Sequence, residues 1–382
     1  ILIDAGRQYR QVGSDVMAPK GDIDVLAQQI AITEARETTE RTRETRFKQT
    51  GFTLTITNPV ISAIQTSQQM HDASKKTEDG RMQALAAATT ALAVNNAATA
   101  VAQDPGMAGG INISLSLGTK QQQSTTVQHS DAAAGSTIVA GNDVRLHATG
   151  AGSDSDITVQ GSDIRAGRDA SLVADGDINL LAARNTSQQD SDSKGSSASV
   201  GIGFSLGGSR NGFTLDLGVS GNRGEADGDT LTHTNSHVQA GNTASLISGG
   251  DTNLRGAVVS VQQVIADVCG DLNIESLQDT DTFKVDESSM GFGLSLCIPP
   301  FCAGVSSVSV DGASANFGGT NMDSDYASVT EQSGIKAGDG GFDVRVGGNT
   351  DLVGAVIASS DKAVQDGNNR LVTASLTSSD IR

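Results

Sequence analysis

The feature that most restricts this chain is a short unit that recurs along it: a glycine, then usually Asp or Asn, then alternating apolar residues. It reads GDIDV at Gly21, GNDVRL at Gly141, GDINL at Gly176, GNTASL at Gly241, GDTNL at Gly250, GDLNI at Gly270 and GNTDL at Gly348. Gly, Asn and Asp tolerate positive φ, so each unit is expected to open on a tight turn. The I-x-V or L-x-I alternation that follows turns one face of a short strand inward. Gly167 and Gly176 are nine residues apart, as are Gly241 and Gly250. No crossing helix fits in such an interval. Short strands joined by these corners wind most simply into a right-handed parallel β-helix, each coil stacked on the last.

A second signature, S-x-[IV]-x-A-G, stands at Ser136, Ser162, Ser236 and Ser333, and Ser379-Asp380-Ile381-Arg382 repeats Ser162-Asp163-Ile164-Arg165. DTNLRGAVVS from Asp251 also matches NTDLVGAVIA from Asn349. The pattern divides the chain into modules at 1–135, 136–235 and 236–332, with a further one starting at 333–382. The chain begins and stops inside the pattern, so it is expected to be a piece of something longer, and no signal peptide is visible at Ile1.

Within each module a polar stretch (33–46, 183–197, 276–289) precedes a pair of Gly-spaced alternating strands. These are 51–57 with 110–118, 200–207 with 212–221, and 290–297 with 303–312. In the second pair Val200, Ile202, Phe204 and Leu206 point one way, and Phe213, Leu215, Leu217 and Val219 repeat the pattern after a turn. Phe292, Leu294 and Leu296 do so in the third. One apolar face, one small or polar face and a tight turn are what a membrane-spanning β-hairpin requires. A hairpin laid on a β-helix requires the same. At seven to nine residues the strands fall just short of the roughly nine to eleven that cross a bilayer. Their apolar faces are expected to lie buried on the solenoid and to peel off for membrane insertion. The segment 62–104 interrupts the first pair. From Arg81 to Asp104 it has neither Gly nor Pro, and its Ala-rich run predicts one short helical insertion.

Composition narrows the functions. The formal charge is −18, from 44 acidic and 26 basic residues, so a phosphate backbone is repelled and no nucleic-acid partner is expected. Aromatics are 3% of the chain, too few for sugar or base stacking. No G-x-S-x-G elbow, phosphate loop or zinc-finger spacing occurs, so no enzyme activity, cofactor or metal is assigned. His233 and His237 in THTNSH lie about 13 Å apart if the segment is a strand, too far for one zinc. They read as solvated polar strand. The pairs Asp154/Asp156, Asp190/Asp192, Asp279/Asp281 and Asp323/Asp325 sit in Ser/Thr/Gly-rich stretches and read as surface carboxylates. Calcium at the Gly-Asp turns has only one loose echo of the calcium-solenoid nonapeptide, GDGGFDVRV from Gly338, and is not assigned.

The segments GNDVRLHATGAGSDSDITVQGSDIRAGRDASLVADGDINLLAARNT, LCIPPFC and SDYASVTEQSGIKAGDGGFDVRVGGNTDLVGAVIASS carry a family resemblance. They resemble the second haemagglutinin-repeat region of filamentous-haemagglutinin-like exoproteins, most of all the contact-dependent growth-inhibition (CdiA-type) effectors. The resemblance implies a secreted filament on the bacterial cell surface, exported by an outer-membrane transporter of the two-partner type. It also implies a segment that engages the outer membrane of a neighbouring cell and assists toxin delivery, without being the toxin. The alternative is a passive shaft or adhesin segment. Cys297 and Cys302 flank Ile-Pro-Pro-Phe, and in an exported protein the loop is expected to close with a disulfide if the Pro pair turns the chain back. Cys269 is expected to be a small buried residue, and the region a monomer.

Overall fold

The computed structural model of the chain describes residues 1–57, 111–206, 212–302 and 307–381. Between the first two stretches it describes only Ser67, Gln68, His71, Asp72, Lys75, Thr90, Ala91 and Val94, all helical. The rest of the expected helical insertion at 62–104 lies outside the described residues.

Short parallel strands wind into a three-sided β-helix. One face stacks Asp15–Ala18, Thr137–Ala140, Asp163–Ala166, the first parts of Ser236–Ser248, Ala257–Val268 and Gly334–Val346, and then Val356–Ala358. The second face stacks Leu2–Asp4, Ile23–Ala27, Val144–Ala148, Asp169–Ala174, the second parts of the same three long strands, and Arg370–Val372. The third runs from Gln8–Val12 through Gln29–Thr33, Ile157–Gln160, Ile178–Leu181, Thr252–Arg255, Leu272–Glu275 and Asn349–Val353 to Ser375–Ser379. Inward side chains form ladders, one rung per coil. Ile138, Ile164, Val238, Val259 and Ile335 line the first face; Leu146, Leu172, Leu246, Ala266 and Val344 the second; Ile32, Val159, Leu180, Leu254 and Ile274 the third. Each buried Ile, Leu or Val contributes about 1.5–3 kcal/mol of apolar burial, so stability is shared along the stack.

The recurring unit forms two corners: Gly21, Gly141 and Gly241 stand between the first and second faces, and Gly176, Gly250, Gly270 and Gly348 between the second and third. Its glycines do not adopt positive φ, contrary to expectation. At the corner between the second and third faces the reason for glycine is space: a Cβ on Gly250 would lie 2.1 Å from Asp177 Oδ1, and one on Gly270 2.1 Å from Asp251 Oδ1. The aspartates stitch coil to coil. The Asp177 amide donates to Asp156 Oδ1 at 2.8 Å, the Asp251 amide to Asp177 Oδ1 at 2.7 Å, and the Asp271 amide to Asp251 Oδ1 at 2.8 Å. On the adjoining face Asn253 Nδ2 donates to Asn179 Oδ1 and Asn273 Nδ2 to Asn253 Oδ1, both at 2.9 Å. The serines of S-x-[IV]-x-A-G are buried and accept similarly, with the Ser136 amide on Ser162 Oγ at 3.0 Å and the Ser162 amide on Ser236 Oγ at 3.2 Å.

The third corner alternates between two solutions. In every second coil the chain turns on a glycine in the left-handed region: Gly13 (φ 50°), Gly161 (φ 53°), Gly256 (φ 62°) and Gly354 (φ 58°). In the coils between, the same corner emits a β-hairpin. The first pairs Ala35–Thr57 with Ile111–Ala134, the second Ala183–Leu206 with Gly212–Thr234, and the third Asp279–Cys302 with Ser309–Ser328. Neighbouring hairpins pair with each other, so all six strands form one antiparallel sheet. A coil rises by one strand spacing, about 4.8 Å, and a hairpin is two strands wide, about 9.6 Å. A hairpin on alternate coils therefore continues the sheet without gap or overlap.

Three further expectations are corrected here. The strands are 20–24 residues long, not seven to nine, because the polar stretches are the inner halves of the same strands. Ser, Thr, Gln and charged residues alternate there without a breaker, and cross-strand pairing satisfies their backbone groups. Nor do the apolar faces lie on the solenoid: among the described residues the hairpin strands pack on each other. Cys269 is exposed, not buried.

Gly161 combines a left-handed backbone with a neighbour, Ala183 Cβ, only 2.4 Å from where its own Cβ would stand. Gly161→Ala is expected to destabilise the stack by about 1–3 kcal/mol. Gly51→Ala, with open space around it, should leave thermal unfolding within about 0.5 kcal/mol of the wild type. Equal melting of the two variants would contradict this corner geometry.

Candidate functional site

In an antiparallel sheet, directly paired residues share a face, and alternate residues along a strand return to it. The register therefore sorts the outer half of the hairpin sheet into rows. One row runs Leu54, Leu115, Ile202, Leu215, Leu296, Val310; the next, two residues closer to the solenoid, runs Phe52, Leu117, Val200, Leu217, Leu294, Ala313. Outside them lie Ile113, Phe204 and Phe213, and inside them Val219 with Phe292, then Met290 with Phe317. All these side chains occupy one face.

That face is open. Phe52 is 76% exposed, Ile202 61%, Val219 53% and Phe317 73%. The rows extend about 27 Å along the strands and about 24 Å across them, a contiguous apolar area on the order of 500 Å². Phe204 and Phe213 pack with centroids 4.8 Å apart, and Phe292 meets Phe317 edge-on at 5.6 Å. The aromatics thus knit neighbouring strands while leaving their outer surface uncovered.

The opposite face carries small and polar residues, and it is the crowded one. Gly201, Gly203, Thr214 and Cys297 are buried there. A Cβ on Gly201 would come 2.7 Å from Ser116 Cβ, and one on Gly203 would come 2.5 Å from Asp216 Oδ2 and Thr214 Oγ1. Glycine at 201 and 203 is thus required by close packing on this face.

The sequence-derived residues are brought together as one surface, with Val200, Ile202, Phe204, Phe213, Leu215, Leu217, Val219, Phe292, Leu294 and Leu296 on the same side of one sheet. Leu206 belongs to it by backbone register opposite Ile111, its side chain being outside the described residues. Cys297 is held in a disulfide and Cys269 is free; the Cys302 side chain lies outside the described residues. Among the described residues no cluster of His, Cys, Asp and Glu is arranged to hold a metal ion. No described helix is long and apolar enough to cross a membrane.

Sequence reasoning missed a polar cluster at the hairpin roots. His237 Nδ1 lies 2.9 Å from Asp163 Oδ1, and its Nε2 lies 2.9 Å from Glu331 Oε2. Asp163 also meets Arg165 at 2.8 Å, and Asn235 donates to Glu331 at 3.2 Å. Nearby, the His233 amide donates to Asp279 Oδ1 at 2.8 Å, with the ring nitrogen 3.1 Å from the same oxygen. Hydrogen bonding to Asp163 raises the His237 pKa above its ordinary value; burial opposes this and Glu331 reinforces it. The Asp163 pKa is lowered by the His237 hydrogen bond, against burial, with help from the charges of His237 and Arg165. The cluster ties the start of one solenoid strand to the chain leaving the third hairpin. THTNSH was its visible signal, but the carboxylate partners are 74 and 94 residues away.

A wound parallel stack carrying Gly-spaced hairpins defines a class, and comparison with known proteins agrees. The Hemagglutinin repeat family model matches residues 117–292. Toxin CdiA of Escherichia coli is 38% identical over the whole of this chain, which spans 12% of that relative. Deoxyribonuclease CdiA of Yersinia pseudotuberculosis serotype O:3 (strain YPIII) is 35% identical, again over the whole chain and 35% of the relative. A tRNA nuclease CdiA from Escherichia coli (strain NC101) is 35% identical, with 11% of its length covered. No solved structure matches. This is a CdiA-like haemagglutinin-repeat region. The nuclease names belong to whole proteins of which it spans a small share.

The raised His237 pKa sets a sign. Its stabilising contribution is full below the unfolded histidine pKa, about 6.5, and is lost as pH rises through the higher folded value. His237→Gln should therefore cost on the order of 1 kcal/mol at about pH 6 and much less at about pH 9. An equal loss of thermal stability at both pH values would show that the ring acts by packing alone.

Proposed function

We propose that this region of a secreted, surface-displayed CdiA-like protein engages the outer membrane of a neighbouring cell through the distal apolar face of its hairpin sheet. It thereby assists delivery of a toxin carried elsewhere in the full-length protein. The observation that carries this reading is an uncovered apolar band about 27 Å tall on strands that stand off the solenoid, close to the roughly 25 Å band of outer-membrane barrels. Small and polar residues occupy the other side of each strand, as spanning hairpins require. On a single strand the apolar run is shorter, as in Phe213–Val219 and Met290–Leu296, and the full height is reached by staggered runs on neighbouring strands of the one sheet.

A pure shaft needs only the solenoid. Three hairpins that expose large side chains to water would weaken a spacer and expose it to aggregation. In the same reading the parent filament leaves its own cell through a two-partner outer-membrane transporter, and the region acts as a monomer of modules 1–135, 136–235 and 236–332, with a fourth starting at 333–382. A Cys297–Cys302 bridge keeps the tip of the third hairpin closed in the oxidising exterior.

Phe204→Asp combined with Leu215→Asp places two charges in the band without touching the solenoid ladders. An acidic side chain in a lipid-facing position costs less than the roughly 2–4 kcal/mol of a Lys or Arg at the midplane, so the two together should lower vesicle association and toxin delivery by roughly tenfold. Unchanged lipid association and delivery in the double variant would rule the reading out.

A further inference from the structure

Behind the apolar band the exposed face changes character abruptly. Lys48 lies in the row of Met290 and Phe317. One row further in, the register aligns Arg46, Gln123, Lys194 and Arg223 on the same face. From the outermost apolar row to this one, the face holds these four cations and no acidic side chain among the described residues. The next row, about 7 Å further in, reads Glu44, Thr125, Asp192, Glu225, Asp286, Asn321. Acids then dominate toward the roots, with Asp190, Asp227 and Asp323 flanking a lone Lys284. In a chain of net charge −18, four cations gathered on two adjacent levels of one face, with no acid between them, are not expected from composition.

We infer that Lys48, Arg46, Lys194 and Arg223 form a docking row for the phosphate groups of anionic lipids. The inference rests on the reading that the apolar band enters a membrane. With the band immersed, this row stands where the strands leave the hydrocarbon, and the acidic row stands in water beyond it. Charge complementarity identifies the occupant. Arg46 and Arg223 are each 72% exposed and pair with Glu44 (2.6 Å) and Glu225, partners from the row behind. Such exposed pairs are weak and exchange readily for a phosphate. Lys48 and Lys194 are exposed and have no ion pair among the described residues. The acidic row limits depth, because driving it into an anionic surface is repulsive.

The test uses the whole region with two kinds of vesicle, pure phosphatidylcholine and phosphatidylcholine with about one-fifth phosphatidylglycerol. A basic side chain near an anionic surface strengthens binding about fivefold. Wild type should bind the anionic vesicles more tightly, and Lys48→Gln with Lys194→Gln should lose about 25-fold on them with little change on neutral ones. Removing two charges from the solenoid, Arg165→Gln with Arg345→Gln, should leave the gain intact. Equal wild-type binding to both vesicles, a double variant that keeps the gain, or an equal loss in the solenoid control overturns the row alone. Release by inorganic phosphate at matched ionic strength would assign it to free phosphate and overturn the lipid assignment. A wild type that binds neither vesicle overturns the membrane reading itself, and the row with it.

Discussion

Backbone hydrogen bonding imposes one spacing, about 4.8 Å, on both parts of this molecule. It is the rise between coils of the solenoid and the distance between strands of the hairpin sheet. A hairpin placed on every second coil is thereby brought to bonding distance of the next, and the hairpin strands at 35–57 and 111–134, 183–206 and 212–234, and 279–302 and 309–328 close into one sheet. On every coil they would collide; on every third they would leave strand-wide gaps. The contiguous apolar face depends on this match, because its rows run across all three hairpins.

The division of labour follows from what each part can bury. The solenoid buries its Val, Ile and Leu ladders and seals its corners with Asp and Ser side chains that accept from the next coil. Among the described residues the hairpin sheet has no second layer, and its inner half is polar while its outer half exposes large apolar side chains. Its first edge strand, Ala35–Thr57, carries Arg36, Glu37, Glu40, Arg41, Arg43, Glu44 and Arg46, whereas the central strands at the same level are mostly Ser, Thr and Gln. Mixed charge along an unpaired edge discourages pairing with another chain. The distal end of the same strand is free of acids, so the mixed charge is confined to its polar inner half.

Much of this was legible in the sequence, for identifiable reasons. The stacked coils follow from local repeats such as GDINL and GDTNL, whose spacing forbids a helix, and the amphipathic faces follow from period-two patterns around Ile202 and Leu215. What was not legible depends on residues far apart in sequence. Gly250 and Gly270 serve close approach to an aspartate one coil away, a requirement that looks identical to a left-handed turn when only one coil is read. The length of the hairpin strands was hidden because ARNTSQQDSDSKGSS has the composition of a loop and becomes a strand only with partners on both sides. THTNSH alone did not disclose the His237 cluster because Asp163 and Glu331 approach it from far along the chain.

The match between coil rise and hairpin width is tested most directly by adding a single hairpin-free coil, a copy of residues 141–166, between the first and second hairpins. Amide hydrogen exchange would then be followed along 186–206, where some amides bond to Ile111–Ala134 and others to Gly212–Thr234. The spacing rule predicts that amides facing 111–134 lose protection while those facing 212–234, and the solenoid ladders, keep theirs. Undiminished protection on both sides of that strand would mean that the hairpins find each other without help from the stack, and the account would be wrong.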